Sequence, residues 1–188
     1  MKNIIAATPL QYLLIAFVAI TLAFFHTVSA QSMLPNMIMF PKITFANLEG
    51  REYKLPQDFE GKVNIVFIAF LQQQQYEVDT WIPATKKLLA ETPALRYYEL
   101  PTLSSGIKWM SFMIDRWMRD GISDKAAREA TITLYTDKSR FRQALALPNE
   151  DSIYILLVKP DGSVVWRGEG AYSPTKFAAL VQAVKAAM

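Results

Sequence analysis

The sequence predicts an α/β domain: a mixed central sheet with helices on both faces, entered through an N-terminal β-hairpin. Three observations carry this reading. Residues 63–70 and 153–158 are near-continuous apolar runs, the pattern of strands buried on both faces. Amphipathic segments of helical length follow or separate them. The order along the chain is hairpin, strand, helix, strand, helix, strand, helix, hairpin, helix, which makes the inner strands parallel and the last pair antiparallel.

Taken in order, residues 1–30 have the three parts of a secretory signal: Lys2, an apolar core over residues 13–25, and small residues at Val28, Ser29 and Ala30. Cleavage after Ala30 is the reading adopted, with an uncleaved membrane anchor as the alternative. Export to the periplasm, or anchoring on the outer face of the inner membrane, follows. Residues 31–42, poor in charge and broken by Pro35 and Pro41, read as a linker, and 43–188 as the folded domain.

Residues 43–45 and 52–55 flank Asn47, Leu48, Glu49 and Gly50 and read as a hairpin. The central strand, 63–70, feeds a helix from about Gln75 to Ala90 that Pro83 should kink or delay. A strand over 95–100 stops at Pro101. Ser104, Ser105 and Gly106 start a helix that Gly121 ends. Residues 130–135 are β-branched and aromatic, and Asp137 caps a helix over 138–147. Residues 153–158 and 164–167 pair across a turn at Pro160, Asp161 and Gly162. Ser173 and Pro174 open a last helix with Phe177, Leu180, Val181 and Val184 on one side.

With 188 residues the chain suits one well-buried core. It has no cysteine, and its single histidine, His26, lies within the signal segment. Thiol redox chemistry, Ser-His or Cys-His nucleophiles, and metal sites built on His or Cys are excluded for the mature chain. The formal charge of +3, less one for Lys2, leaves +2, which argues against a nucleic-acid partner.

The stretch FPKITFANLEGREYKLPQDFEGKVNIVFIAF and the stretch ILLVKPDGSVVWRGEG resemble thioredoxin-like proteins of the peroxiredoxin and exported thiol-reductase type. That resemblance implies a thioredoxin-like three-layer sandwich. It departs where the chemistry sits: Gln72, Gln73, Gln74 and Gln75 stand where the redox cysteines belong, and Asp151 and Ser152 where a cis-proline is expected before Ile153. Glu99, a helix bearing Trp109 and Trp117, and the run Val165-Trp166-Arg167-Gly168-Glu169-Gly170 are similar to the mitochondrial ATP-synthase assembly-factor family of degenerate thioredoxin-like proteins. This implies a redox-inactive binding protein that needs no cofactor and assists assembly of a membrane or envelope complex. The alternatives are a thiol-independent enzyme of peroxiredoxin-like ancestry and a methionine-based Cu(I) carrier.

Candidate partner-binding residues follow from these features. The four glutamines are either a hydrogen-bonding recognition surface or a solvated connection. In the helix after Gly106, Lys108, Ser111, Asp115 and Arg119 form a narrow polar stripe, and Trp109, Phe112, Met113 and Trp117 belong to a wide apolar sector. Such a sector faces a protein partner, a membrane surface or the core. Glu99 at a strand end and Arg167 in the late hairpin, beside Trp166, either pair across the sheet or hold a ligand. Met33, Met37 and Met39 are the thioether candidates for Cu(I). Glu77 and Asp79, two apart on a helix, do not face each other and make no shared acid/base site.

Overall fold

A five-stranded sheet with an apolar core on each face organises residues 37–188, the part of the chain that the computed structural model describes. Residues 1–30, read from sequence as a signal, and Met33 lie outside the described residues. β1 (Ile43–Ala46) and β2 (Glu52–Leu55) form the expected hairpin, with Gly50 at φ 84° in its turn. β3 (Val63–Ala69) leads through a 3₁₀ turn (Gln72–Gln74) into α1 (Gln75–Glu91) and on to β4 (Leu95–Ser104). A second 3₁₀ segment (Ser105–Met110), α2 (Ser111–Gly121) and α3 (Lys125–Ala130) precede β5 (Leu134–Thr136). The chain ends with α4 (Lys138–Ala144), β6 (Tyr154–Val158), β7 (Val164–Glu169) and α5 (Pro174–Ala187).

The strand order is β5-β4-β3-β6-β7. β3 runs parallel to β4 and antiparallel to β6, so the centre of the sheet is also where its direction changes. Alternation along β3 builds both cores. Val63, Ile65 and Phe67 pack with Val78, Trp81 and Leu88 of α1 and with Leu180 and Val184 of α5. Val66 and Ile68 point the other way, toward Leu55 of the hairpin, Phe59 and Phe141 of α4. Three layers result, as the sequence predicts.

Several boundaries differ from expectation, each for a local reason. Phe40 is buried in the core and its N–H donates to the Gly162 carbonyl at 2.8 Å, so the chain packs onto the sheet before β1 begins. α1 starts at Gln75 and runs through Pro83. Pro83 is exposed, so the carbonyl that loses its partner there faces water. β4 continues past Pro101 because the residue before a proline is already extended, and beyond it Thr102 pairs with Leu134 of β5. Glu99 is therefore within a strand and not at its end. Residues 125–130, of which only Ala130 is assigned from sequence, to a strand, form α3, where the Asp124 side chain accepts from Ala126 N at 3.0 Å as an N-cap.

Candidate functional site

β3 and β4 end at a cleft of about 1000 Å³, bounded on one side by α1 and on the other by α2. The crevice outside the carboxyl ends of parallel strands is the usual ligand site of α/β sheets. The floor carries Glu99 and Tyr97, α1 contributes Ile82 and Lys86, and α2 contributes Trp117 and Met118.

The glutamine run forms the near rim and divides by role. Gln74 is buried; its Oε1 accepts from the N–H groups of Phe70 at 2.7 Å and Leu71 at 3.1 Å, and its Nε2 donates to the Glu150 carbonyl at 2.6 Å. It fastens the end of β3 to the segment entering β6. Gln72, Gln73 and Gln75 are exposed and line the cleft. Gln75 Nε2 donates to Asp79 Oδ1 at 3.0 Å and to Glu99 Oε2 at 3.2 Å. Glu77 turns elsewhere, accepting from the Ser152 hydroxyl at 2.8 Å, so Glu77 and Asp79 diverge as their spacing predicts.

Glu99 is only 9% exposed. Burial pushes its carboxyl above the ordinary glutamate value; the Gln75 hydrogen bond pulls it down, and the Asp79 carboxylate pushes it up again. Burial also raises the Tyr97 hydroxyl to about 12, so it stays neutral at the cleft floor. Lys86 does not bond Glu99; its Nζ lies 3.0 Å from Asp124 Oδ2.

α2 and the 3₁₀ segment before it turn a mixed face to the domain, where Ile107, Met110, Ile114 and Met118 are half-buried beside Ser111 and Asp115. Part of the polar stripe is docked there by hydrogen bonds. The Tyr135 hydroxyl donates to Asp115 Oδ1 at 2.8 Å and to the Ser111 carbonyl at 3.3 Å, and Arg119 Nε donates to the Leu48 carbonyl at 2.7 Å. Burial, with the Asp115 carboxylate adding to it, holds the Tyr135 hydroxyl well above the usual phenol value, which keeps it a donor. The aromatic part of the apolar sector points outward: Trp109 is 81% exposed, Phe112 78% and Trp117 63%, and Met113 is exposed beside them. No residue of α2 or of the 3₁₀ segment before it is buried.

The remaining candidates lie away from this cleft. Glu99 and Arg167 do not form the ion pair considered from sequence, because β3 and β6 stand between their strands. Arg167 instead donates to the carbonyls of Ala146 at 2.7 Å and Leu145 at 3.4 Å, closing the chain after α4. Trp166 packs against the core beneath α5 and over Gly168, where an added Cβ would stand 2.5 Å from the indole. Gly170 completes that motif by accepting the Trp81 indole N–H at 2.9 Å. Met37 and Met39 are exposed on the lead-in, where Met39 bridges Ser163 at the β6–β7 turn. The structure thus gathers Gln72, Gln73, Gln75, Glu99 and Trp117 at one cleft, with Trp109, Phe112 and Met113 on the adjoining helix surface. Sequence reasoning missed Ile82, Lys86 and Tyr97 as lining residues; for Ile82 and Lys86 the available signal was helical spacing from Gln75 and Asp79 along α1.

The family model described as ATP10 protein matches residues 33–186. No curated protein is a significant sequence match to the chain. Among solved structures, BsSco, a member of the Sco family of cytochrome c oxidase assembly proteins, is similar with a TM-score of 0.56 at 16% identity, over 81% of this chain and 95% of its own. A SCO1/SenC family lipoprotein from Bacillus anthracis str. Ames gives 0.55 at 14% identity, over 83% and 99%. The pneumococcal exposed lipoprotein thioredoxin of Streptococcus pneumoniae strain TIGR4 gives 0.51 at 16% identity, over 77% and 99%. These likenesses establish a thioredoxin-like fold, here in a chain without cysteine.

Proposed function

The chain belongs to the ATP10 protein family, and on that premise we propose that it is a redox-inactive, non-catalytic assembly factor that binds an apolar segment of a membrane or envelope protein. The single observation that carries this reading is the exposure of Trp109, Phe112, Met113 and Trp117 on one side of α2 and the segment before it. A helix that spends Ser111, Asp115 and Arg119 on docking and leaves Trp109, Phe112 and Trp117 in water keeps a surface for something else to cover. Trp and Met are the residue types that protein interfaces favour, and the exposed sector runs into the cleft through Trp117.

A protein occupant is favoured over a lipid surface by the charges on the helix. Membrane-surface helices keep several free cations beside their apolar face. Here, among the described residues of the helix, Arg119 Nε is tied down to the Leu48 carbonyl and Arg116 lies 3.9 Å from Asp120, so Lys108 is the cation left without such a contact. For a thiol-independent enzyme, the relevant observation is that the cleft holds both Glu99 and Lys86. With Lys86 engaged by Asp124 and Glu99 by Gln75, binding is the better supported use of both. The apolar stretch at residues 13–25 supports export and action at the outer face of the inner membrane.

In-cell crosslinking of the full-length protein tests the reading. A membrane-protein adduct is expected with the wild type and is lost in Trp109→Ala and Trp117→Ala variants that remain folded. Adducts unchanged by both substitutions would overturn it.

A further inference from the structure

Two carboxylates from different elements, Glu99 at the floor of the cleft and exposed Asp79 on α1, converge on one amide of its rim. Gln75 Nε2 donates both to Asp79 on α1, at 3.0 Å, and to Glu99 on β4, at 3.2 Å. Glu99 is nine-tenths buried, and its other oxygen, Oε1, accepts no hydrogen bond among the described residues. Neither carboxylate belongs to an ion pair among the described residues. Lys86, the cation whose field reaches Glu99, is already paired with Asp124. The surrounding walls are apolar, with Ile82 on one side and Ile114, Trp117 and Met118 on the other. A buried carboxylate such as Glu99 is ordinarily matched by a cation, because desolvation of an unpaired charge is costly, and exposed Asp79 adds a second negative charge near it.

We propose that the cleft receives a lysine or arginine side chain of the client segment, flanked by apolar residues, with Glu99 and Asp79 as its counter-charges. The amide of Gln75 marks where the cation's donors sit. Gln75 is exposed and has two N–H donors, whereas a guanidinium brings five in a planar fork that can satisfy both carboxylates. The aliphatic stem of such a side chain lies along Trp117 while its head reaches the floor. The inference rests on the client reading above and narrows it to a segment that carries a positive charge within an otherwise apolar stretch.

The test uses the full-length protein and two labelled peptides of leucine and alanine, one with a central arginine and one with citrulline, which keeps the shape and loses the charge. Fluorescence anisotropy is expected to show the arginine peptide binding at least about tenfold tighter. Glu99→Gln and Asp79→Asn should each reduce that preference to within about twofold, leaving the citrulline peptide's affinity unchanged. Asp79 is exposed, so its variant remains informative should Glu99→Gln fold poorly. Equal affinity for the two peptides in the wild type, or a preference that survives in both variants, would overturn the proposal. If the tryptophan-dependent adduct forms in cells while the peptides bind equally, only the cation inference falls. If neither the adduct nor peptide binding is seen, the client reading falls with it.

Discussion

The side-chain carbonyl of Gln74 accepts a hydrogen bond from the backbone N–H of Phe70 at 2.7 Å, closing the end of the central strand. The same side chain reaches the Glu150 carbonyl at 2.6 Å, so one glutamine ties β3 to the approach to β6. Its neighbours Gln72, Gln73 and Gln75 remain at the surface of the cleft. A run of four identical residues is thereby split into one structural member and three that a partner can reach.

Gln74→Ala is expected to lower the free energy of unfolding by about 2–3 kcal/mol, since it leaves buried backbone groups without partners. Gln73→Ala, at the exposed rim, should stay within about 0.5 kcal/mol of the wild type. Urea denaturation of the two variants checks the contrast, and equal losses would contradict the division of the run.

Trp81 and Trp109 should respond oppositely in stability and in binding. Trp81 is fully buried against Phe67 and Tyr172, and its indole is hydrogen-bonded to Gly170, so Trp81→Ala should cost about 3–5 kcal/mol. Trp109→Ala removes an exposed side chain and should change stability by less than about 0.5 kcal/mol while abolishing the in-cell adduct. Thermal unfolding followed by circular dichroism separates the two.

Asp115→Ala should loosen α2 without unfolding the sheet. The Tyr135 hydroxyl then loses its carboxylate partner. A local cost of about 1–2 kcal/mol is expected from the lost charge-assisted bond. Hydrogen exchange should speed up over residues 111–121 and stay unchanged in β3 and β6. Uniform acceleration throughout the domain would argue that α2 is integral to the cooperative unit.

Glu99 makes stability depend on pH in a definite direction. Its carboxyl is raised in the folded state, chiefly by burial, with Asp79 also raising it and Gln75 and Lys86 opposing. Between the ordinary glutamate value and the raised one, the folded chain binds more protons than the unfolded chain, so stability falls as pH rises through that window. Above the window the cost persists; below it the cost is absent. Glu99→Gln should therefore stabilise at neutral pH, with the gain vanishing once the pH falls below the ordinary glutamate value. Denaturation measured at neutral pH and below that value checks this, and a gain that is equal at both would contradict it.

The strand-helix order, the two doubly buried strands and the absence of cysteine were all legible along the chain. They depend on local periodicity and residue chemistry, which need no knowledge of neighbours. Boundaries failed where a nonlocal partner extended an element, as β5 does for β4 beyond Pro101. α3 was missed because six residues carry too little periodicity to outweigh the β-branched run that follows.

Along the chain alone it is settled that α2 carries a polar stripe of Ser111, Asp115 and Arg119 against a wide apolar sector, and that residues 37–188 hold neither cysteine nor histidine. Only the tertiary structure decided which side of that helix meets the protein. Strand order places α2 where the partners on offer are the Tyr135 hydroxyl and the Leu48 carbonyl. Ser111 and Asp115 meet those partners beside the half-buried Ile114 and Met118, and the tryptophans are left on the outward side. The same order brings Asp79 and Glu99, twenty residues apart in the chain, to one amide. Periodicity along a chain records which faces differ, whereas burial and charge pairing depend on what the fold sets opposite them.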